Sequence, residues 1–128
     1  MDLKDKQESK WTRFIKSFSY AFQGLREAFL SERNLQIHFV FSVIVVICGL
    51  LFQITKVEWM VILLLIGGMF SIELMNTAVE KVVDLVTSEF HPLAKKAKDI
   101  AAGAVLFYAI ISAIVGVIIF LPYLIRII

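Results

Sequence analysis

The stretch Ser71-Ile72-Glu73-Leu74-Met75-Asn76-Thr77-Ala78-Val79-Glu80-Lys81-Val82-Val83-Asp84 decides how the chain is read. It continues an apolar run over residues 57–70 whose only glycines are Gly67 and Gly68. Run and stretch together predict one long helix that passes from lipid into a polar zone. At about 100° per residue, with Glu73 as zero, Asn76 falls at roughly −60°, Glu80 at roughly −20°, Asp84 at roughly +20° and Thr77 at roughly +40°. All five share an arc of about 100°. Leu74, Val79, Val82 and Val83 take the opposite face.

A carboxylate at mid-membrane costs about 2.5–3.5 kcal/mol on insertion scales. Depth lowers that cost here. If the helix enters lipid at Val57, Glu73 lies roughly 24 Å further along at 1.5 Å per residue, just inside the edge of a core about 30 Å thick. Glu80 and Asp84 then lie in the headgroups or water. A helix that merely exits into solvent also ends in acids, but such acids scatter round the helix instead of sharing one face.

The whole composition agrees with a membrane setting. The chain has 128 residues, 59% of them hydrophobic, and a mean hydropathy of +0.84. That is too apolar for a soluble domain of this size and fits a small integral membrane protein of one domain. The single Cys48 excludes an intrachain disulfide. No cleavable signal peptide is expected, because residues 1–10 are polar and no short apolar segment with a small-residue cleavage site follows.

Residues 1–10 read as a mobile, charged tail. Over residues 11–33, Trp11, Phe14, Ile15, Phe18, Phe22, Leu25, Ala28 and Phe29 recur at helical spacing, with Arg13, Lys16, Gln23, Arg26 and Glu27 between them. This predicts an amphipathic helix lying in a membrane surface, closed by Glu32 and Arg33 with Asn34 as breaker. Three transmembrane helices are expected at residues 36–54, 57–86 and 98–121. His38 and Gln53 mark the ends of the first, and His38 reads as an interfacial residue. The hinge Thr55-Lys56-Val57-Glu58-Trp59 returns the chain antiparallel. Pro92 suits a helix first turn, capped by Ser88 or His91. Ala109/Ala113 and Ser112/Gly116 allow close helix contact, and Pro122 ends the last span. The expected fold is thus all-α: three membrane spans plus a surface helix.

The distribution of charge orients it. Seven Lys and Arg precede the first span (residues 4, 6, 10, 13, 16, 26 and 33), the first hinge has Lys56, the second loop region has four (81, 95, 96 and 98), and the tail has Arg126. By the positive-inside rule the amino terminus and second loop are cytoplasmic. A face that carries Glu73 and Asn76 needs a partner, so a homo-oligomer of closed symmetry is expected.

A site at the membrane edge reaches lipid headgroups from one side and soluble molecules from the other. Carboxylates there suit Mg²⁺, which takes one or two protein oxygens and leaves positions for phosphates. A partly desolvated carboxylate suits proton abstraction from a hydroxyl, and Lys or Arg neutralises phosphate charge. Those are the parts of phosphoryl transfer to a lipid alcohol. No phosphate-binding loop G-x-x-x-x-G-K-[ST] is present: the six glycines (24, 49, 67, 68, 103 and 116) are scattered. Any nucleotide must be held by helix side chains.

The pattern Glu73-x-x-Asn76-Thr77-Ala78-x-Glu80-x-x-x-Asp84, followed by Lys98-Asp99, resembles the small prokaryotic diacylglycerol kinase family. So do Thr12-Arg13-Phe14-Ile15-Lys16, Gly24-Leu25-Arg26 and Glu32, and the resemblance covers about residues 11–121. Within the family, Glu32-Arg33-Asn34-Leu35-Gln36-Ile37-His38 and His91-Pro92-Leu93-Ala94-Lys95 are similar to the undecaprenol kinase branch. The resemblance implies a homotrimer in the cell membrane that phosphorylates a membrane lipid alcohol, undecaprenol above all, with Mg²⁺ and ATP. It implies Glu73 as general base with Asn76 beside it, and Glu32 and Glu80 holding the metal. Arg13, Tyr20, Glu32, Glu80, Glu89, His91, Lys98 and Asp99 would contact the nucleotide, and Arg13, Glu73 and Lys98 the substrate. Position 23 is Gln where the diacylglycerol branch often has Lys, and position 38 is His where it often has an acid. No nucleic-acid partner is expected. Two alternatives stand beside this one: a diacylglycerol kinase, and a small proton-coupled transporter in which Glu73 binds and releases protons. A structural protein, with the acids as helix-end solvation, is the blandest reading.

Overall fold

The computed structural model describes residues 8–128. The tail expected over residues 1–10 therefore lies largely outside the described residues, as do Lys4 and Lys6. Residues 8–10 are held in place. Glu8 accepts from Lys16 Nζ at 2.5 Å, the Ser9 hydroxyl accepts the Thr12 N–H at 3.2 Å, and Lys10 opens the first helix.

Four helices make up the described chain: α1 Lys10–Ser31, α2 Arg33–Phe52, α3 Lys56–Val86 and α4 Pro92–Ile127. The last three are each long and apolar enough to cross a membrane. α3 has 31 residues, about 46 Å at 1.5 Å per residue, so it outruns a hydrocarbon core of about 30 Å. Most large apolar side chains on α2, α3 and α4 are exposed in the single chain, as expected where lipid or other copies supply the apolar surroundings.

The corner between α1 and α2 is a single extended residue, Glu32, with φ −95° and ψ 114°. Asn34, expected as the breaker, is helical. The reason lies in how the last carbonyls of α1 are satisfied. Gln36 Nε2 donates to the carbonyls of Phe29 at 3.1 Å and Leu30 at 3.3 Å, groups that a helix end leaves without intrahelical partners. Leu35 is fully buried in the corner, a burial that contributes about 1.5–3 kcal/mol.

At the other end, α2 stops at Gln53, which adopts a left-handed conformation with φ 51°. Thr55 and Glu58 then form a reciprocal cap. The Thr55 hydroxyl accepts the Glu58 N–H at 3.2 Å, and Glu58 Oε2 accepts the Thr55 N–H at 2.8 Å. Glu58 Oε2 also accepts the Tyr123 hydroxyl at 2.6 Å, which ties the end of α4 to the hinge. Pro122, expected to end the helix, sits inside α4. Proline removes one backbone donor, but here Tyr123 is anchored to Glu58, its ring stacks on Phe52 with centroids 5.9 Å apart, and Arg126 lies over it at 5.8 Å. The small apolar core, Ile54, Ile62 and Ile119, forms around this hinge with Phe52, Trp59 and Phe120 against it.

α3 packs chiefly on α4 and less on α2. Tyr108 of α4 donates to the Leu64 carbonyl at 3.1 Å and lies directly over Gly68, where a Cβ would meet its ring and hydroxyl. Gly68 thus lets the two helices approach. Of the two candidate caps for α4, His91 fills the position: its Nδ1 accepts the Leu93 N–H at 3.1 Å.

Candidate functional site

The end of α3 away from the hinge carries the buried polar residues of the described chain: Glu73, 2% exposed, Asn76, 7%, and Thr77, 6%. An uninterrupted helix places them, since Gly67 and Gly68 remain helical. Glu73 Oε2 is buried with no hydrogen-bond partner. Its ionisable neighbour is His38 of α2, whose Nε2 stands 3.9 Å away. One turn on, Asn76 Nδ2 donates to Glu80 Oε1 at 3.3 Å, while Asn76 Oδ1 is buried without a partner. Burying a carboxylate with so little compensation costs several kcal/mol. Such a group is a functional-site candidate on physical grounds.

Further toward the end of α3 the face becomes exposed and meets α4. Lys98 Nζ pairs with Asp84 Oδ1 at 2.6 Å, and Lys95 Nζ pairs with Asp99 Oδ2 at 2.5 Å. Thr87 and Glu89 close the connecting loop, the Glu89 N–H donating to the Thr87 hydroxyl at 3.2 Å. A cavity of about 280 Å³ opens here, lined among others by Asp84, Glu89, His91, Lys95, Lys98 and Asp99. Two ammonium groups, an imidazole and three carboxylates around one cavity suit a polyphosphate and its cation.

The structure thus brings Glu89, His91, Lys98 and Asp99 into one cavity, and Asn76 and Glu80 into one hydrogen bond. It does not join them to the remaining candidates within a single chain. Arg13 and Tyr20 are exposed on α1, Glu32 is the corner residue, and none of the three has a side-chain hydrogen bond or ion pair among the described residues. Among the described residues no three His, Cys, Asp or Glu side chains converge as a metal site.

Three residues were not singled out for these positions by periodicity. Periodicity puts Asp84 on the acidic face and Lys95 in the loop, yet both line the cavity. The sequence makes His38 an interfacial residue, yet it is the ionisable group against Glu73. No sequence signal marks that pairing, because the two residues lie on separate helices.

A model of the family described as prokaryotic diacylglycerol kinase matches residues 19–120, a span that holds every candidate residue except Arg13. The chain is 54% identical over 124 residues to a protein of Bacillus subtilis (strain 168) described as undecaprenol kinase, covering 97% of this chain and 100% of that one. It is 43% identical over 107 residues to a diacylglycerol kinase of Synechocystis sp., covering 83% of this chain and 61% of that one. It is 30% identical over 104 residues to a diacylglycerol kinase of Escherichia coli (strain K12), covering 81% and 85%. A membrane-type helix with a buried carboxylate, a polar cavity at the far end of that helix and these likenesses have one common explanation: the chain belongs to the prokaryotic diacylglycerol kinase family.

Proposed function

We propose that this protein transfers the γ-phosphoryl group of ATP to the hydroxyl of undecaprenol, giving undecaprenyl phosphate. The observation that carries the reading is Glu73, buried with one oxygen unpartnered, on the same helix whose far end, at Val83 and Asp84, lines a polar cavity. The choice of lipid rests on the likeness to the undecaprenol kinase, 54% over nearly the whole of both chains. Diacylglycerol is the alternative acceptor. No observation favours the transporter alternative.

In this reaction Glu73 accepts the proton of the lipid hydroxyl as its oxygen bonds to the γ-phosphorus, and the bond from that phosphorus to the β-bridging oxygen breaks to release ADP. General-base catalysis of this kind contributes about 10²–10⁴-fold. Lys98, with His91, Glu89 and Asp99 around the cavity, holds the nucleotide, and Arg13 and Tyr20 complete its contacts. The oxygens of Glu80 and the unpartnered Asn76 Oδ1 are hard donors of the kind Mg²⁺ takes, and the ion needs only one or two protein carboxylates when it arrives with phosphates. Glu80 and Glu32 would hold it; when bound it neutralises charge on the transferring phosphoryl group.

The reading includes a homotrimer in the cell membrane, with α1 in the cytoplasmic surface and the amino terminus cytoplasmic. The exposed apolar faces of α2, α3 and α4 and the separation of Arg13, Tyr20 and Glu32 from the rest of the site support assembly of copies. Light scattering of the detergent-solubilised protein, corrected for detergent, is expected to give three chain masses.

The test of the activity uses the purified full chain with labelled ATP, Mg²⁺ and either undecaprenol or diacylglycerol in mixed micelles. Label is expected in undecaprenol. Label in neither lipid would end the kinase reading, and strong preference for diacylglycerol would end the choice of acceptor alone.

A further inference from the structure

We propose that His38 is a positioning residue for the proposed reaction: its Nε2 holds the Glu73 carboxylate and sets which oxygen faces the acceptor hydroxyl. The inference rests on the kinase reading and adds to it a residue from another helix.

The geometry is specific. Glu73 Oε2 is buried and has no hydrogen bond, and His38 Nε2 lies 3.9 Å from it. That separation is within ion-pair range and about 1 Å beyond a hydrogen bond. A small rotation of either side chain closes the gap. An imidazole with a proton on Nε2 donates to the carboxylate whether it is neutral or charged. One carboxylate oxygen is then occupied, and the other is left to receive the acceptor proton.

Among the described residues His38 is the one basic group within ion-pair distance of Glu73. Among the described residues the cations of α1 and α4 with ion pairs are engaged elsewhere: Lys16 with Glu8, Lys95 with Asp99 and Lys98 with Asp84. Arg33, on His38's own helix, is exposed. His38 also borders a cavity of about 320 Å³ between α2, α3 and α4 in which it is the only ionisable lining residue. The rest of that lining is apolar apart from Ser42 and Ser112. A purely packing role there would be served as well by an apolar side chain.

That contrast supplies the test. Steady-state kinetics on undecaprenol are compared for the wild-type chain, H38L, H38Q and H38A. Leucine keeps bulk and removes the donor, whereas glutamine keeps an N–H that reaches Glu73. H38L and H38A are expected to lose about 10²-fold in kcat, the effect of a misplaced catalytic group, with KM for ATP unchanged. H38Q is expected to retain several-fold more kcat than H38L, and added imidazole to restore part of the H38A rate. H38L equal to wild type, or H38L better than H38Q with no imidazole rescue, would overturn the proposal. A wild-type chain without activity on any lipid alcohol would instead overturn the kinase reading, and the role of His38 with it. Circular dichroism of each variant identifies one that fails to fold, and the imidazole rescue of folded H38A then decides.

Discussion

Lys98 Nζ lies 2.6 Å from Asp84 Oδ1, so the polar end of α3 and the first turns of α4 are clasped across the loop that joins them. The pair is open to solvent, with side-chain exposures of 40% and 64%, and an exposed pair of this kind adds little to stability. Its place at the 280 Å³ cavity therefore matters more for binding than for folding. K98M is expected to raise KM for ATP about tenfold or more, the loss of one charge-assisted hydrogen bond. D84N should leave the unfolding midpoint in detergent nearly unchanged. Kinetics and thermal unfolding on the same samples check both.

Glu73 bears the proton transfer in the proposed reaction, and glutamine matches its shape. E73Q is expected to lower kcat by about 10²–10⁴-fold while the helical signal is kept, because a neutral amide is easier to bury than a carboxylate. Wild-type turnover in E73Q would show that the buried acid is structural.

Glu80 receives the Asn76 amide at 3.3 Å, which aims its carboxylate. E80Q is expected to raise the Mg²⁺ concentration at half-maximal rate as well as to lower the rate. N76A should do so more weakly, because Glu80 keeps its charge but loses its orienting donor. Titration of Mg²⁺ at saturating ATP separates the two effects.

Gly67 and Gly68 are neighbours with opposite expectations. A Cβ at Gly68 would meet the Tyr108 ring and hydroxyl, whereas one at Gly67 meets nothing within 4 Å. G68A is expected to destabilise the α3–α4 contact by about 1–3 kcal/mol. G67A should be neutral or stabilising by up to about 1 kcal/mol through helix propensity. Adding Y108F to G68A should recover part of the loss. Unfolding in detergent, compared across the three variants, is the check.

The parts legible before any coordinates are those written in one helix at a time. An apolar run continuing into Glu73, Asn76, Thr77 and Glu80 is visible as periodicity, because helical rotation per residue is nearly constant. Pro92 in a helix first turn, with Ser88 or His91 as its cap, is equally local. The closing of the first helix at Glu32 was legible, but not that the corner is that single residue with Asn34 already helical, because this depends on Gln36 reaching back to the carbonyls of Phe29 and Leu30. Nor was the continuation of α4 through Pro122, which depends on Tyr123 finding Glu58 on a distant hinge.

By itself, then, the sequence determined an all-helical chain with three membrane-length apolar helices and an acidic face at the end of one of them, since hydropathy and periodicity act along the chain. Only the tertiary structure decided that His38 stands against Glu73, that Lys98 clasps Asp84, and that Tyr108 lies over Gly68. Those pairings join residues of different helices, and which side chains meet is set by how the helices cross and turn, a property that no local pattern of residues carries.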